Sequence, residues 1–343
     1  MTTQVINHRP SGLLRWASPK VATMVRVGLT VALLGAGLAQ AQPQPWPTKP
    51  VRIVVPFAAG GTADFLARLL GDALQKSTGQ PFVIETKTGA GGAIGATEVA
   101  RAQADGYTLL LATSSTHSVA PAVRKELPYN ATTDFTPIAL LAESNNLLLV
   151  SPSVGAKSLS ELIAIAKQKP DLLNYSTGGA GTQNHLAFEF LKVQAGIELT
   201  HVPYKGAAAS ITDIVSGNVH MTWDSLPTGL PHAKSGRLLG LAVSGAARSP
   251  LAPDIPAAGE VVKGFSNTTW YGVYGPRGMP TDLAQRVNQE INKVLQSPEI
   301  LAKFQSSLGS SPAKTTPAEF AAVAAAERDR WARLIRERGI KLD

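Results

Sequence analysis

Two stretches of this chain follow one plan: an apolar run of strand length, a Gly-Gly turn, then a helix. "VRIVVPFAAGGTADFLARLL" begins at Val51 and "LLNYSTGGAGTQNHLAFEFL" at Leu172. Strand-length apolar runs alternate with helical patterns elsewhere too, which predicts an α/β fold with a largely parallel sheet. Two such units placed alike predict two α/β lobes, each with a glycine turn at a helix start, facing one another across a cleft. The lobe crossings fall near 142 and 266. Residues 42–142 with 267–343 then form a discontinuous first lobe and 143–266 the second, with the C-terminal helices returning to the first.

Residues 1–41 are set apart from the fold. They carry Arg9, Arg15, Lys20 and Arg26 and no acidic residue, then the apolar run "VGLTVALLGAGLA" from Val27 to Ala39. Ala39 and Ala41 flank Gln40, the small-residue pattern of a signal-peptidase site. A spanning helix needs about 20 apolar residues, and this run is shorter. The segment reads as a secretory signal cleaved near Ala41/Gln42, with a periplasmic mature chain. Losing its four positive charges lowers the net charge from +8 to +4. That is an ordinary surface, with no basic stripe for nucleic acid. The absence of cysteine removes disulfides, thiolate nucleophiles and Cys-ligated metal together.

Strands are expected at "VRIVVPF" (51–57), "FVIETK" (82–87), "TLLLAT" (108–113), "NNLLLVSP" (145–152), "LLNYST" (172–177), "LTHVPY" (199–204), "VHMTWD" (219–224), "LLGLAVS" (238–244) and "TWYGVYGP" (269–276). Helical spacing covers 62–77, 93–102 and 184–194. Ser158 with Glu161 caps a helix through Lys169, Ser297-Pro298 opens another, and Thr316-Pro317-Ala318-Glu319 starts a long one to about Arg338.

The first N–H groups of a helix lack intrahelical partners, and the dipole adds positive charge there. Glycines let an anion approach them. Gly60 and Gly61 before the helix at Thr62, and Gly178, Gly179 and Gly181 before the helix at Asn184, fit this use; Ser176, Thr177 and Thr182 add hydroxyls. The plainer alternative is a pair of tight βα turns. G-x-G-x-x-G fails in each glycine cluster and no P-loop is present, so a small carboxylate is the simplest occupant. Asp64 is either a partner for a ligand ammonium or hydroxyl, or a helix-start acid. Asp224 faces the cleft or caps a loop, and Phe57 walls the cleft or belongs to the core. Ser114, Ser115, Thr116 and His117 follow the third strand, where α/β proteins hold ligands, or form a plain hydroxyl-rich loop. His185 and Glu189 stand four apart, but no H-E-x-x-H motif or His/Cys cluster accompanies them, so no metal or cofactor is expected. No G-x-S-x-G elbow occurs.

"PFAAGGTAD", "LPYNATTDFTPIALL", "STGGAGTQNHLA", "HVPYKGAAASITDIVSGNVHM" and "WDSLPTGLPHAKSGRLLGLAV", in this order, resemble the Bug family, the tripartite tricarboxylate transporter receptors. The resemblance spans essentially the whole mature chain. It implies a two-lobed periplasmic binding protein of type II-like form, its α/β domains joined by a hinge, that is not an enzyme. By motif position it implies ligand contacts from Phe57, Ala59, Gly60, Gly61 and Asp64 in one lobe. Ser176, Gly178, Ala180, Gly181, Thr182 and His185 would contribute from the other, with Tyr204, Lys205, Gly206 and Asp224 lining the cleft or hinge. The implied ligand is a small organic acid or acidic amino acid, the implied partners are inner-membrane permease subunits, and a monomer is expected. A sensor read by a membrane kinase would use the same closure, and an exported hydrolase would need Ser176 or Ser114 activated by a base. Ala58-Ala59 stands where many relatives have proline, and "STHSVAP" where an asparagine-containing version is common; both bear on which ligand is held.

Overall fold

A computed structural model describes residues 1–4 and 46–340, apart from Lys125, Asp171 and Gly206. The signal segment beyond residue 4, its cleavage point and the Gly206 candidate lie outside the described residues. From Trp46 onward, the apolar runs form nine strands among the described residues. They are β1 (Val51–Val55), β2 (Phe82–Thr86), β3 (Thr108–Thr113), β4 (Phe135–Val150), β5 (Asn174–Thr177), β6 (Thr200–Pro203), β7 (Met221–Ser225), β8 (Leu239–Val243) and β9 (Thr268–Pro276). The helices are α1 (Thr62–Thr78), α2 (Ala93–Ala100), α3 (Ala120–Val123), α4 (Leu159–Gln168), α5 (Gln183–Ala195), α6 (Ile211–Val215), α7 (Leu226–Lys234), α8 (Thr281–Leu295), α9 (Pro298–Leu308) and α10 (Pro317–Arg338). The Ser158, Ser297 and Thr316 caps form as expected, each side chain accepting a backbone N–H three residues on.

The strands run β2–β1–β3–β9–β4–β7–β5–β6, with β8 also on β4. β1 is parallel to β2 and β3, and β5 to β6 and β7. β9 is antiparallel to β3 and β4, and β4 to β7 and β8. The expected largely parallel sheet is therefore a mixed one. The reason lies in β4, which enters from a loop and not over a helical crossover, and antiparallel pairing needs no crossover. β4 pairs with β9 from Phe135 to Asn145 and with β7 from Asn146 to Val150. Its first ten residues escape the sequence reading; Pro137 sits at a register shift against β9, where a missing N–H is tolerated.

β1 and β5 each end in a glycine turn that feeds α1 or α5. Both helix starts therefore stand at the carboxyl ends of parallel strands, where open α/β sheets hold ligands. α1, α8 and α9 bury Leu66, Leu70, Ile291 and Phe304 with Ile53 of β1. α4 and α5 bury Leu162, Phe188 and Phe190 with Tyr175 of β5. The C-terminal helix α10 reaches both groups: Phe320 packs on Trp270 and Tyr274 of β9, while Trp331 packs edge-on to Phe190 of α5.

The seat of α10 depends on Gly272. A Cβ there would stand 2.2 Å from the Phe320 ring, and that ring is fully buried with no room to swing aside. Gly272→Ala is expected to cost about 1–3 kcal/mol through overpacking. Thermal unfolding followed by circular dichroism reads this as a lower melting temperature; an unchanged one would show that α10 is not seated this tightly.

Candidate functional site

The ends of β1, β3, β5 and β7 and the partner switch in β4 surround a cavity with about 100 Å³ open to the centres of water molecules. Phe57 and Ala58 follow β1, and Gly61, Thr62 and Ala63 are the start of α1. Thr113 and Ser115 come from the end of β3, and Gly178, Thr182 and Asn184 from the start of α5. Asn146 of β4, Asp224 and Ser225 of β7, and Thr269 and Tyr271 of β9 complete the wall. Six of the sequence candidates line it: Phe57, Gly61, Ser115, Gly178, Thr182 and Asp224.

The other candidates stand around the cavity in supporting positions. Ala59 and Gly60 are exposed at its rim. The Asp64 carboxylate accepts from the Gly60 N–H and from Arg68 at 3.1 Å each, and pairs with Arg68 Nη2 at 2.9 Å. Burial alone would raise its carboxyl, but the hydrogen bonds from Arg68 and Gly60 outweigh this and hold it below the usual aspartate range. Asp64 therefore serves its own helix start. Past β3 the chain makes one π turn, Ser115–Val119, which aims Ser115 at the cavity. The Thr116 hydroxyl turns back to the Thr113 carbonyl at 3.0 Å, and Ser114 is fully buried outside the lining. Ser176 donates to Ser210 at 2.7 Å; its partner is a second hydroxyl and not a base.

The loop before α5 spends most of its donors on itself. The Gly179 N–H donates to Thr177 Oγ1, Gly181 N–H to His185 Nδ1, and Gln183 N–H to Ser115 Oγ, at 3.0–3.1 Å. Thr182 Oγ1 donates to the Gly179 carbonyl and accepts the His185 N–H. The start of α1 is less occupied: Gly61, Thr62 and Ala63 bring the first-turn N–H groups, which no helix satisfies internally, to the cavity wall. The two glycine turns therefore differ: the start of α1 lines the cavity with few cross-links, and the second turn is a stapled wall. Tyr204 stands behind that wall, its N–H on the Thr177 carbonyl and its hydroxyl on Asp213. Lys205 is exposed away from the lining.

A third glycine turn, 89–92, was not among the candidates, because it fits no phosphate motif. It meets the second turn backbone to backbone. A Cβ on Gly179 would lie 3.3 Å from Gly91 Cα, and one on Gly91 3.0 Å from the Ala180 carbonyl; side chains at either position would part the turns. Arg124 clamps the pair, Nη1 donating to the Ala90 carbonyl at 2.9 Å and Nη2 to the Ala180 carbonyl. Ala90 has φ +49°, alone among non-glycine residues described, a conformation that costs an L-residue about 1–2 kcal/mol.

Thr113, Asn146, Asn184, Ser225, Thr269 and Tyr271 are the polar wall residues that the sequence reading does not single out. Asn184 Nδ2 donates to the Trp223 carbonyl at 2.6 Å, Asn146 Nδ2 to Thr269 Oγ1 at 3.3 Å, and the Ser225 and Tyr271 hydroxyls meet at 3.0 Å. Their common signal is placement at strand ends and at the β4 partner switch, which only the assembled sheet reveals. Asp224 is 6% exposed. Burial pushes its carboxyl up to about 6, against hydrogen bonds from Thr228 and the Ser225 N–H.

Behind the second turn, His185 stacks on His201 with ring centroids 3.9 Å apart, and His201 Nε2 meets Thr177 Oγ1 at 2.7 Å. Burial, then neighbouring positive groups, push His185 down to about 3 and His201 to about 4. Glu189 is taken by the Tyr175 hydroxyl and Lys192. Between pH 6.5, the ordinary histidine value, and about 4, the unfolded chain binds protons that the folded chain refuses. Stability is therefore full above pH 6.5 and falls as pH drops through that window. The melting temperature should fall measurably from pH 7 to 4.5, and His201→Gln should flatten part of that slope. Equal slopes in the two proteins would remove the histidine pair as its source.

A family profile described as tripartite tricarboxylate transporter family receptor matches residues 66–340. The protein BugT of Bordetella pertussis is 33% identical over 318 residues, which cover 92% of this chain and 97% of BugT. The structure of the R. palustris protein Rpa4515 with adipate superposes with a TM-score of 0.83 at 37% identity, over 87% of this chain and 99% of that one. MatC (Rpa3494) from Rhodopseudomonas palustris with bound malate gives 0.79 at 31%, over 84% and 100%. These are solute-binding proteins and not enzymes. With the fold, the cavity at its strand ends and these matches in hand, the chain belongs to the tripartite tricarboxylate transporter receptor family, the periplasmic Bug-type solute-binding proteins.

Proposed function

We propose that this protein captures a small carboxylate in the cavity and presents it to a tripartite tricarboxylate-type permease in the inner membrane. The observation that carries the reading is the start of α1 on the cavity wall. Unpaired first-turn N–H groups and the positive end of the helix dipole form an anion seat without any cationic side chain. Size agrees. One water centre needs about 10–15 Å³, so a cavity of about 100 Å³ takes a ligand of roughly seven to ten non-hydrogen atoms. Adipate and malate, bound to the two R. palustris relatives, are of this size. Gly61, Thr62 and Ala63 hold the carboxylate, while Phe57, Gly178, Thr182 and Asp224 shape the space around its body.

The change of partner along β4 at Asn145/Asn146, with β9 starting at Thr268, supports a hinge between a lobe of 42–142 plus 267–343 and a lobe of 143–266. Cleavage near Ala41/Gln42 would release the chain into the periplasm. A thermal-shift screen of residues 42–343 tests the reading, because a ligand at 100 times its Kd stabilises by about 2.7 kcal/mol. Small carboxylates should raise the melting temperature while sugars and nucleotides leave it unchanged. A rise with sugars or nucleotides alone would overturn it.

A further inference from the structure

On the two-lobe reading above, the chain crosses between lobes twice side by side, in β4 at Asn145/Asn146 and at the start of β9, and Asn145 pairs with Thr268 there. Buried, neutral polar groups join these crossings to the start of α5. Gln183, the first residue of α5, is 1% exposed, and Asn267, just before β9, is fully buried. Gln183 Nε2 donates to Asn267 Oδ1 and, at 3.0 Å, to the Thr268 carbonyl; Asn267 Nδ2 returns a bond to the Gln183 carbonyl at 3.4 Å. The Gln183 N–H donates to Ser115 Oγ at 3.0 Å. The path continues from Asn267, whose N–H donates to the Ser244 carbonyl at 2.7 Å and whose carbonyl accepts from Ser244 Oγ. The Asn146 N–H in turn donates to Ser244 Oγ at 2.9 Å. The path thus starts and ends on the cavity wall, at Ser115 and Asn146. Gln183 Oε1 is buried without a donor, and the reverse amide orientation would set that oxygen against two acceptors. The carboxamide is therefore spent on the returning chain.

We propose that Gln183 is a positioning residue that sets the angle between the lobes, its carboxamide tying the start of α5 to the returning chain at Asn267 and Thr268. This rests on the two-lobe reading and names the side chains that hold its hinge. Hinges are a few loop or element-end residues that absorb the backbone change, and a tie across them sets how freely they turn. The groups of this tie are neutral and buried, where a hydrogen bond is electrostatically stronger than in water. Through Ser115 and Asn146 the same tie fixes two parts of the cavity wall relative to each other.

The chain has no cysteine, so two engineered ones give unique sites for spin labels. Lys234 of α7 and Ser306 of α9 are exposed and line one groove from opposite lobes. Labels at Lys234→Cys and Ser306→Cys read the lobe angle by pulsed dipolar spectroscopy in the ligand-free protein. The otherwise wild-type chain should give one narrow distance distribution, and adding Gln183→Met or Asn267→Ala should make it at least twice as broad. Asn288→Ala is the control, because the bonds of that buried amide to the Ile138 and Thr315 carbonyls stay within the first lobe. It should lower the melting temperature, as any lost buried hydrogen bond does, and leave the distance unchanged. If Gln183→Met does not unfold cooperatively, Asn267→Ala carries the same test. Distributions like wild type in the variants overturn the proposal, and so does equal broadening in Asn288→Ala. If a carboxylate that raises the melting temperature shortens the wild-type distance while the variants match wild type, the tie falls and the two-lobe reading stands. If neither the variants nor any compound of the screen moves the labels, the lobes are one rigid body and both fall.

Discussion

Thr62→Asp is expected to weaken carboxylate binding at least a hundredfold in a protein that still unfolds cooperatively. Thr62 is the first residue of α1, buried against the cavity. Two unit charges 4 Å apart repel by about 4 kcal/mol at an effective dielectric near 20, which is about three decades of affinity at about 1.4 kcal/mol per decade. A hundredfold loss is thus a floor. Aspartate at a helix start is favoured by the dipole, which limits the damage to the fold. Thr62→Val removes only a hydroxyl and should cost tenfold or less. A charge at Gly179 would be a poorer probe, because its φ of +127° and its contact with Gly91 mix backbone strain into the result. Titration of both Thr62 variants with a ligand found in the screen reads the difference, and equal affinities would place the anion elsewhere.

Arg124→Ala should speed ligand release by ten- to a hundredfold. The guanidinium is the fork that joins the 89–92 turn to the 178–181 turn, and the second of these walls the cavity. Hydrogen bonds to a charged group contribute about 1.5–3 kcal/mol each, so losing two leaves the strained Ala90 turn without its tie. Arg124→Lys should recover only part of the effect, since an ammonium cannot bridge two carbonyls in fixed geometry. Stopped-flow tryptophan fluorescence reports on Trp223, whose carbonyl is bonded to Asn184 of the wall. A dissociation rate equal to wild type in Arg124→Ala would mean that the clamp plays no part in retaining ligand.

The fold was legible wherever a segment carries its own boundaries. β3 runs from Thr108 to Thr113 as expected, because a run of apolar residues is bracketed by Gly106 and a hydroxyl cluster. β4 was half-read, since "FTPIALLAES" mixes proline with an irregular pattern that only pairing to β9 turns into a strand. α8 is missing from the sequence reading although Val287, Ile291 and Leu295 stand at helical spacing. The glycine turns were legible as places of close approach. Which of them keeps free donors was not, because Ser115, Thr177 and His185 settle that, and their contacts cross between segments far apart in the chain. The Arg124 clamp was invisible for the same reason.

The most direct test of the anion seat is a titration of the wild-type protein with a bound acid and with its methyl ester, matched in every atom but the charge-bearing oxygen's substituent. A carboxylate held by the N–H groups at the start of α1 requires the ester to bind at least a hundredfold more weakly. Equal affinity for acid and ester would contradict it, and would mean that the cavity selects its ligand by shape and not by charge.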